Sequence, residues 1–453
     1  MSTIAAISTP VSSGGISVIR ISGEDAFLIA KKIFTPITSE NVESMAGYTC
    51  AYGKVVFNND EIDDAVLTVF RAPKSYTGEN VVEISCHGGI YVTNRILRAI
   101  ISSGAVPAAP GEFTKRAFLN GKMTLTQAEA VMDIISAQGE TAHKCSVAMH
   151  EGALFRRIKS VSDRMVKILG ELAAWVDYPD EDIADVDENS LLVDLSNILS
   201  ELKKISSTYD SGRILREGIE TAIVGRPNVG KSTLMNLLSG YERSIVTEVA
   251  GTTRDVIEES VRLGDVVLRL CDTAGIRNTS DTVEEMGVNL AYKRLDRAEL
   301  VLAVFDYSQE LKHEDFLLTE KLSGKNVIAV INKSDKDQLL DIDFINEHYP
   351  ENVLISAKEG NGIETLREKI LKVFRASDID SSAGIIANER QKRCIDMSIS
   401  SLKDAVLALS QSETLDAVTV LVDEAESFLL ELTGEKITEA VVDEVFSHFC
   451  VGK

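Results

Sequence analysis

The chain has 453 residues, 44 % of them hydrophobic and 26 % charged, with a net charge of −23 and a pI near 4.8. That length exceeds one hydrophobic core and predicts two to four domains, while the acidity excludes a broad electropositive face that would grip nucleic acid through phosphates alone. No run of eighteen apolar residues argues for a membrane span, and Met1-Ser-Thr-Ile-Ala-Ala-Ile7 lacks the basic start of a secretion signal, so a cytoplasmic protein is expected.

Residues 1–120 read as an α+β domain. Strand-like runs lie at Thr3–Ile7, Ile16–Ile21, Ala65–Phe70 and Val81–Ser85, and helix-like runs at Glu24–Ile33 and Tyr91–Ser102. Glycine and proline punctuate the joins. Ser75-Tyr-Thr-Gly-Glu79 and Gly111–Lys122 are distinctive segments to which physical chemistry alone assigns no task. The six cysteines are scattered without a C-x-x-C pair, which predicts reduced thiols. Cys86-His87 resembles a metal pair, but neighbours on a strand point to opposite faces, so a structural use is expected.

From Leu125 the apolar period becomes helical, with Leu125, Ala128, Val131, Ile134 and Ile135 on one face. Further helical stretches run through Ala142–Val176 and Ser190–Ser207, around an acidic segment at Asp177–Glu188 that reads as a solvated loop. Strand–helix alternation then occupies 218–376. A polar joint at Ser377–Gly384 leads to helices at Asn388–Leu409, Leu415–Leu432 and Ile437–Phe449. The expected domains are therefore 1–120, a helical domain in two parts (121–217 and 377–453), and an α/β domain at 218–376 inserted between them.

The inserted segment carries the chemistry. Its strand runs are Thr221–Val224, Val266–Leu270, Leu300–Phe305, Val327–Ile331 and Val353–Ile355, mostly separated by helices as in a parallel sheet. Gly225-Arg-Pro-Asn-Val-Gly-Lys-Ser232 follows the first strand and opens a helix, the arrangement of a phosphate cradle. Gly225 and Gly230 let backbone N–H groups approach the phosphates, Lys231 can reach the β and γ phosphates, and the Ser232 hydroxyl can bind Mg²⁺. Asp272-Thr-Ala-Gly275 ends the next run; its carboxylate can hold Mg²⁺ through water, and the Gly275 N–H can meet the γ-phosphate. Thr253, in Gly251-Thr-Thr-Arg-Asp255, would complete the Mg²⁺ shell. Asn332-Lys-Ser-Asp335 ends another strand. The acceptor-only carboxylate of Asp335 suits the N1–H and amino group of guanine, and adenine would leave it unpaired. Ser356-Ala-Lys358 adds a backbone N–H for the guanine oxygen. Four ordered motifs at strand ends identify a GTPase domain.

Its catalytic machinery departs from the Ras pattern, because Ile276 stands where a water-orienting glutamine would follow Asp-Thr-Ala-Gly. Arg277 and Glu284 are the nearby candidates for that task. The Asn228 side chain, in the middle of the cradle, is a candidate ligand for a monovalent cation.

These motifs, the inserted position of the GTPase segment and Phe449-Cys-Val-Gly-Lys453 resemble the MnmE (TrmE) family of tRNA-modification GTPases over the whole chain. Thr3–Pro10, Gly14-Gly-Ile16, Arg20-Ile-Ser-Gly23, Ser75–Glu79, His87-Gly-Gly89, Pro110–Phe113, Ala117–Lys122 and Gln127–Ala130 carry the resemblance at the N-terminal end. It implies a folate-binding, dimerising N-terminal domain, an all-α helical domain and an inserted α/β P-loop GTPase domain. It also implies a homodimer that works on tRNA with the FAD-dependent partner MnmG, as a heterotetramer. The implied reaction adds an aminomethyl or carboxymethylaminomethyl group to C5 of the wobble uridine, using 5-formyl- or 5,10-methylene-tetrahydrofolate as one-carbon source.

By the same resemblance Arg20, Glu83, Lys122 and Lys453 contact the folate, and K⁺ is held by Asn228, Thr247, Val249 and Thr252. The family's water-positioning glutamate falls on Glu284, and Arg277 and Lys231 complete the candidate catalytic residues. GTP is contacted along Asn228, Val229, Gly230, Lys231, Ser232 and Thr233. Further contacts run along Thr247, Glu248, Val249, Ala250, Gly251, Thr252 and Thr253, then along Asp272, Thr273, Ala274 and Gly275, and through Asn332, Lys333, Asp335, Ser356, Ala357 and Lys358. Cys450 is open to either a chemical or a packing role. Val11-Ser-Ser13 replaces the family's more usual proline- or glycine-bearing loop, which puts the folate affinity in question. The alternative reading is a regulatory GTPase switch without modification chemistry.

Overall fold

The computed structural model describes residues 1–37, 41–177, 187–241, 259–264, 266–270, 295, 297–374, 380 and 382–453. The chain divides into two compact units: Met1–Met132 with His150–Asp177 and Thr419–Lys453, and Asp133–Met149 with Tyr178–Val418.

In the first unit, strands β1 (Ile4–Ile7), β2 (Ile16–Ser22), β3 (Phe34–Pro36), β4 (Thr49–Phe57), β5 (Asp60–Phe70), β6 (Val81–His87) and β7 (Val106–Pro107) form one sheet. Their order is β3-β4-β5-β6-β2-β1-β7, antiparallel except for the β1–β7 pair. Period-two burial in β5 and β6 gives the sheet an apolar face. Helices α1 (Ala26–Ile33) and α2 (Ile90–Ser102) cover it, closing a core around Ile19, Ile21, Leu67, Ile84, Ile96 and Ile100. The other face carries Arg20 opposite Glu83. Helix α3 (Glu112–Leu119) follows β7, and α4 (Leu125–Ser136) follows α3. On the expected apolar face of α4, Leu125 and Ala128 are buried, but Ile135 is 48 % exposed.

The stretch expected as one helix from Ala142 to Val176 is two: α5 (Glu140–His150) and α6 (Ala153–Asp177). Gly152 separates them in left-handed backbone (φ +84°) that no helix interior tolerates.

In the second unit α7 (Glu188–Ser206) and α8 (Tyr209–Glu217) lead to a six-stranded sheet of β8 (Ile219–Val224), β9 (Glu259–Leu263), β10 (Val266–Leu270), β11 (Leu300–Asp306), β12 (Val327–Asn332) and β13 (Asn352–Leu354). Its order is β13-β12-β11-β8-β10-β9, parallel except for β9 against β10. Every residue of β11 is buried, as a central strand covered on both faces requires. Separate apolar clusters fill the two faces. Helices α9 (Lys231–Tyr241), α10 (His313–Lys321), α11 (Ile342–His348) and α12 (Ile363–Val373) belong to this layer architecture, and α13 (Glu389–Ser410), α14 (Leu415–Thr433) and α15 (Glu439–Ser447) follow.

Helices from before and after the GTPase sheet pack together within each unit. In the second, Ser206 on α7 donates to Asp396 on α13 at 2.8 Å and accepts from Lys392 at 2.7 Å. In the first, Ser162 on α6 donates to the buried Glu426 on α14 at 2.5 Å.

Candidate nucleotide and folate sites

The phosphate cradle forms where β8 ends and α9 begins. Gly225 (φ +146°) and Gly230 (φ +101°) adopt backbone that side chains avoid. A Cβ on Gly225 would lie 2.4 Å from the Val304 carbonyl oxygen, and one on Gly230 would lie 2.2 Å from Asn332 Nδ2. These glycines keep the loop close to its two neighbouring strands. Lys231 turns back over the loop, donating to the Gly225 and Arg226 carbonyls at 2.7 Å each, and burial lowers its pKa from the ordinary lysine value. Ser232 and Thr233 occupy the first turn of α9 and are exposed. Arg226, which the sequence alone did not single out, is buried against Asp315 of α10.

Asn332, at the end of β12, joins this cradle to the loops that carry Asp335 and Ser356. Its Nδ2 donates to the Val229 carbonyl at 3.0 Å, and its Oδ1 accepts from the N–H groups of Lys333 (2.8 Å) and Ala357 (2.9 Å). Lys333 Nζ donates to the Asn228 carbonyl at 2.7 Å. Asp335 is exposed and accepts from Ser356 Oγ at 2.8 Å, a bond that holds its carboxyl below the usual range. A carboxylate fixed in this way stays an acceptor at neutral pH, as the donor edge of guanine requires. Lys358 is exposed beside it.

The structure thus brings together Asn228, Val229, Gly230, Lys231, Asn332, Lys333, Asp335, Ser356 and Ala357. The loop suits a triphosphate: glycine backbone, a helix start and a lysine converge on it. Thr247, Glu248, Val249, Ala250, Gly251, Thr252 and Thr253 lie outside the described residues, as do Asp272, Thr273, Ala274, Gly275, Arg277 and Glu284.

The other group lies in the first unit. Arg20 reaches Glu83 across the β2–β6 pair, with Nε and Nη2 each 2.8 Å from Oε1. Its guanidinium sits 5.4 Å from the Tyr76 ring centroid and 5.5 Å from that of Phe113, a range in which a cation is attracted to both rings. Phe113 N–H donates to the Lys453 carbonyl at 3.1 Å. Lys122 Nζ donates to the Pro73 carbonyl at 3.2 Å, at the start of the loop that carries Tyr76. Glu79 anchors that loop by accepting from Ser22 and from the buried Arg116. Arg20, Glu83 and the Lys453 backbone therefore converge, with Lys122 at the rim of the same loop. Tyr76 and Phe113 lie in the two segments marked as distinctive in the sequence, Ser75–Glu79 and Gly111–Lys122, but their meeting around Arg20 is visible only in the fold.

Cys86 is buried and His87 exposed, the opposite-face arrangement expected of strand neighbours. Among the described residues no cluster of three or more His, Cys, Asp or Glu could hold a metal ion. Nor is any helix among them long and apolar enough to cross a membrane.

Known proteins resemble this chain from end to end. A family model described as the MnmE helical domain matches residues 125–450, and one described as the GTP-binding protein TrmE N-terminus matches residues 3–122. The tRNA modification GTPase MnmE of Clostridioides difficile is 41 % identical over 454 residues, covering 100 % of this chain and 99 % of that one. Its counterpart in Lactobacillus helveticus is 42 % identical over 456 residues, covering 100 % and 98 %. With its cradle, guanine-type motifs and α+β amino-terminal sheet in the order those matches require, the chain belongs to the MnmE (TrmE) family of GTPases.

Proposed function

We propose that this GTPase drives modification of the wobble uridine of tRNA, as a homodimer acting with the flavoprotein MnmG. The observation that carries the reading is the Asn332 side chain, which ties the phosphate cradle to the base-reading loop in a chain matched over its full length by relatives named for tRNA modification. The cradle would hold GTP, with Ser232 and Thr253 as ligands for Mg²⁺ and Asn228, Thr247, Val249 and Thr252 as ligands for K⁺. Water attacks the γ-phosphorus as the bond to the β–γ bridging oxygen breaks. Glu284 orients that water, because Ile276 cannot. In a pair of GTPase domains these K⁺ ligands would be shielded from water, and the cation they hold would supply positive charge to the transition state, the task of an arginine finger.

The Arg20–Glu83 group, with Lys122 and Lys453, would hold a tetrahydrofolate derivative, which would supply the one-carbon unit for C5 of the uridine. A carboxylate and a guanidinium on one sheet face suit the donor and acceptor edges of a pterin. The acidic net charge is accommodated if the partner supplies much of the grip on tRNA.

The test is nucleoside analysis of tRNA from cells lacking this chain, with GTP hydrolysis compared in K⁺ and Na⁺ at equal ionic strength. Loss of the C5 modification and faster hydrolysis in K⁺ are expected. Unchanged tRNA nucleosides would leave a GTPase switch in place of a modification enzyme, and equal rates in the two salts would remove the ion from the mechanism.

A further inference from the structure

Two residues of the nucleotide site hold left-handed backbone without being glycine: Asn228 (φ +65°) in the cradle and Lys333 (φ +67°) just after β12. Such conformations are costly and persist where the surroundings over-determine them. These two are joined directly. Lys333 Nζ donates to the Asn228 carbonyl at 2.7 Å, and the same nitrogen lies 2.5 Å from Asp306 Oδ2.

Asp306 is the last residue of β11, in register with Asn332 on β12, and is 1 % exposed. Ser308 gives its N–H (3.0 Å) and hydroxyl (2.7 Å) to Oδ1, and Gln309 Nε2 donates to Oδ2 at 3.1 Å. Burial by itself would raise the pKa of Asp306, but the bonds from Lys333 and Ser308 outweigh it and hold the group below the usual carboxylate value. A buried carboxylate supplied with this many donors is a fixed point, and Lys333 is its one charged partner in these contacts. The lysine in turn is the bridge from this fixed point to the strained loop.

We propose that Asp306 is a positioning residue of the nucleotide site: it holds Lys333 across to the Asn228 carbonyl and so sets the backbone from which the Asn228 side chain is presented. Asp306 needs no contact with the nucleotide for this. Its removal frees Lys333, and the cradle loses the restraint that keeps Asn228 left-handed. The arm that concerns K⁺ rests on the ion reading given above; the arm that concerns GTP rests on the GTPase site alone.

The experiment uses the full chain and its Asp306→Asn, Lys333→Gln and double variants, measuring GTP hydrolysis against GTP concentration and against K⁺ at constant ionic strength. Asp306→Asn is expected to raise KM for GTP about tenfold, the equivalent of one charge-assisted hydrogen bond. It is also expected to raise the K⁺ concentration for half-maximal rate, with kcat at saturation changed less than about twofold. The double variant is expected to be no worse than Lys333→Gln, because both act through one contact. An additive loss in the double variant, or an Asp306→Asn profile matching wild type, overturns the proposal. If Asp306→Asn does not fold, Lys333→Gln decides it: an unchanged KM would overturn it. A wild type indifferent to K⁺ would refute the ion reading, and the KM and double-variant arms would still judge Asp306.

Discussion

Asp315 closes on Arg226 with both carboxylate oxygens, Oδ1 at 2.9 Å and Oδ2 at 2.8 Å from the same Nε, although 89 residues separate the two in sequence. The arginine side chain is 7 % exposed and the aspartate 1 %, so neither charge has bulk water to fall back on. Asp315 also accepts from the Lys312 N–H at 2.9 Å, capping α10. Removing one partner of a buried pair costs about 3–5 kcal/mol. Asp315→Ala is expected to sit at the top of that range, since it loses the cap as well, and Arg226→Ala below it. Urea unfolding followed on the GTPase unit measures the order. A smaller loss for Asp315→Ala would show that the cap adds nothing.

Asn332→Ala removes the donor to Val229 and leaves the Ala357 N–H without its acceptor. A buried group left unpaired costs about 1–3 kcal/mol, so stability is expected to fall by that amount. Affinity for a fluorescent GDP analogue should fall by about tenfold or more at the same time, because the two loops lose their shared tie. Titration of the analogue checks the second part. Full affinity in a destabilised variant would confine Asn332 to a packing role.

Arg20→Lys keeps a positive charge opposite Glu83 but gives up the planar group that faces the Tyr76 and Phe113 rings. Arginine and lysine are not interchangeable where the cation is stacked. Binding of 5-formyl-tetrahydrofolate is expected to weaken about tenfold, by calorimetric titration, while GTP hydrolysis stays as it was. Equal affinity in the variant would mean that the rings contribute no more than bulk.

His87 is exposed at the end of β6, with Nδ1 2.7 Å from Asp63 Oδ1. The hydrogen bond that the ring donates to Asp63, and then the carboxylate's charge, raise the imidazole pKa above 6.5. Any stabilisation from this pair is therefore complete below pH 6.5 and disappears as the pH rises through the higher folded-state value. An NMR titration of the ring should place its midpoint above 6.5, and Asp63→Asn should bring it back toward that figure. A ring that titrates identically with and without Asp63 would rule the pair out.

Much of this fold was legible from residue order. The GTPase strands announced themselves as short apolar runs ending in motif residues, and β8 and β10 to β13 lie where those runs stand, to within a few residues. β4 was missed because Gly53 interrupts its pattern. The reason is tertiary: a Cβ there would lie 2.4 Å from the Thr35 carbonyl and 2.7 Å from the Phe34 ring of the neighbouring β3. Helix α3 was missed for a similar reason, since the left-handed Gly111 before it reads as a turn until Phe446 is seen packed against it. β9 is the antiparallel edge of an otherwise parallel sheet, and no strand–helix alternation announces such a strand.

At the site, the candidate ligand residues came from motif spacing, whereas those that hold them came only from the fold. Lys231, Asn332 and Asp335 could be named from the chain. The parts played by Asp306, Arg226 and Tyr76 could not, because each meets its partner across tens of residues and only the fold shows the pairing. The clue that existed for Asp306 was chemical: a carboxylate closing an otherwise wholly apolar strand, at the carboxyl end, where sheets of this kind bind their ligands.

The 2.2 Å that would separate a Cβ at position 230 from Asn332 Nδ2 makes these two positions one steric unit. Neither can drift alone: a side chain at 230 evicts the amide, and a bulkier residue at 332 crowds the glycine. Anyone transplanting Gly225–Ser232 into another scaffold would have to carry Asn332 with it, along with the strand that delivers it. The portable module is therefore larger than its eight-residue signature suggests, and it is discontinuous in the gene.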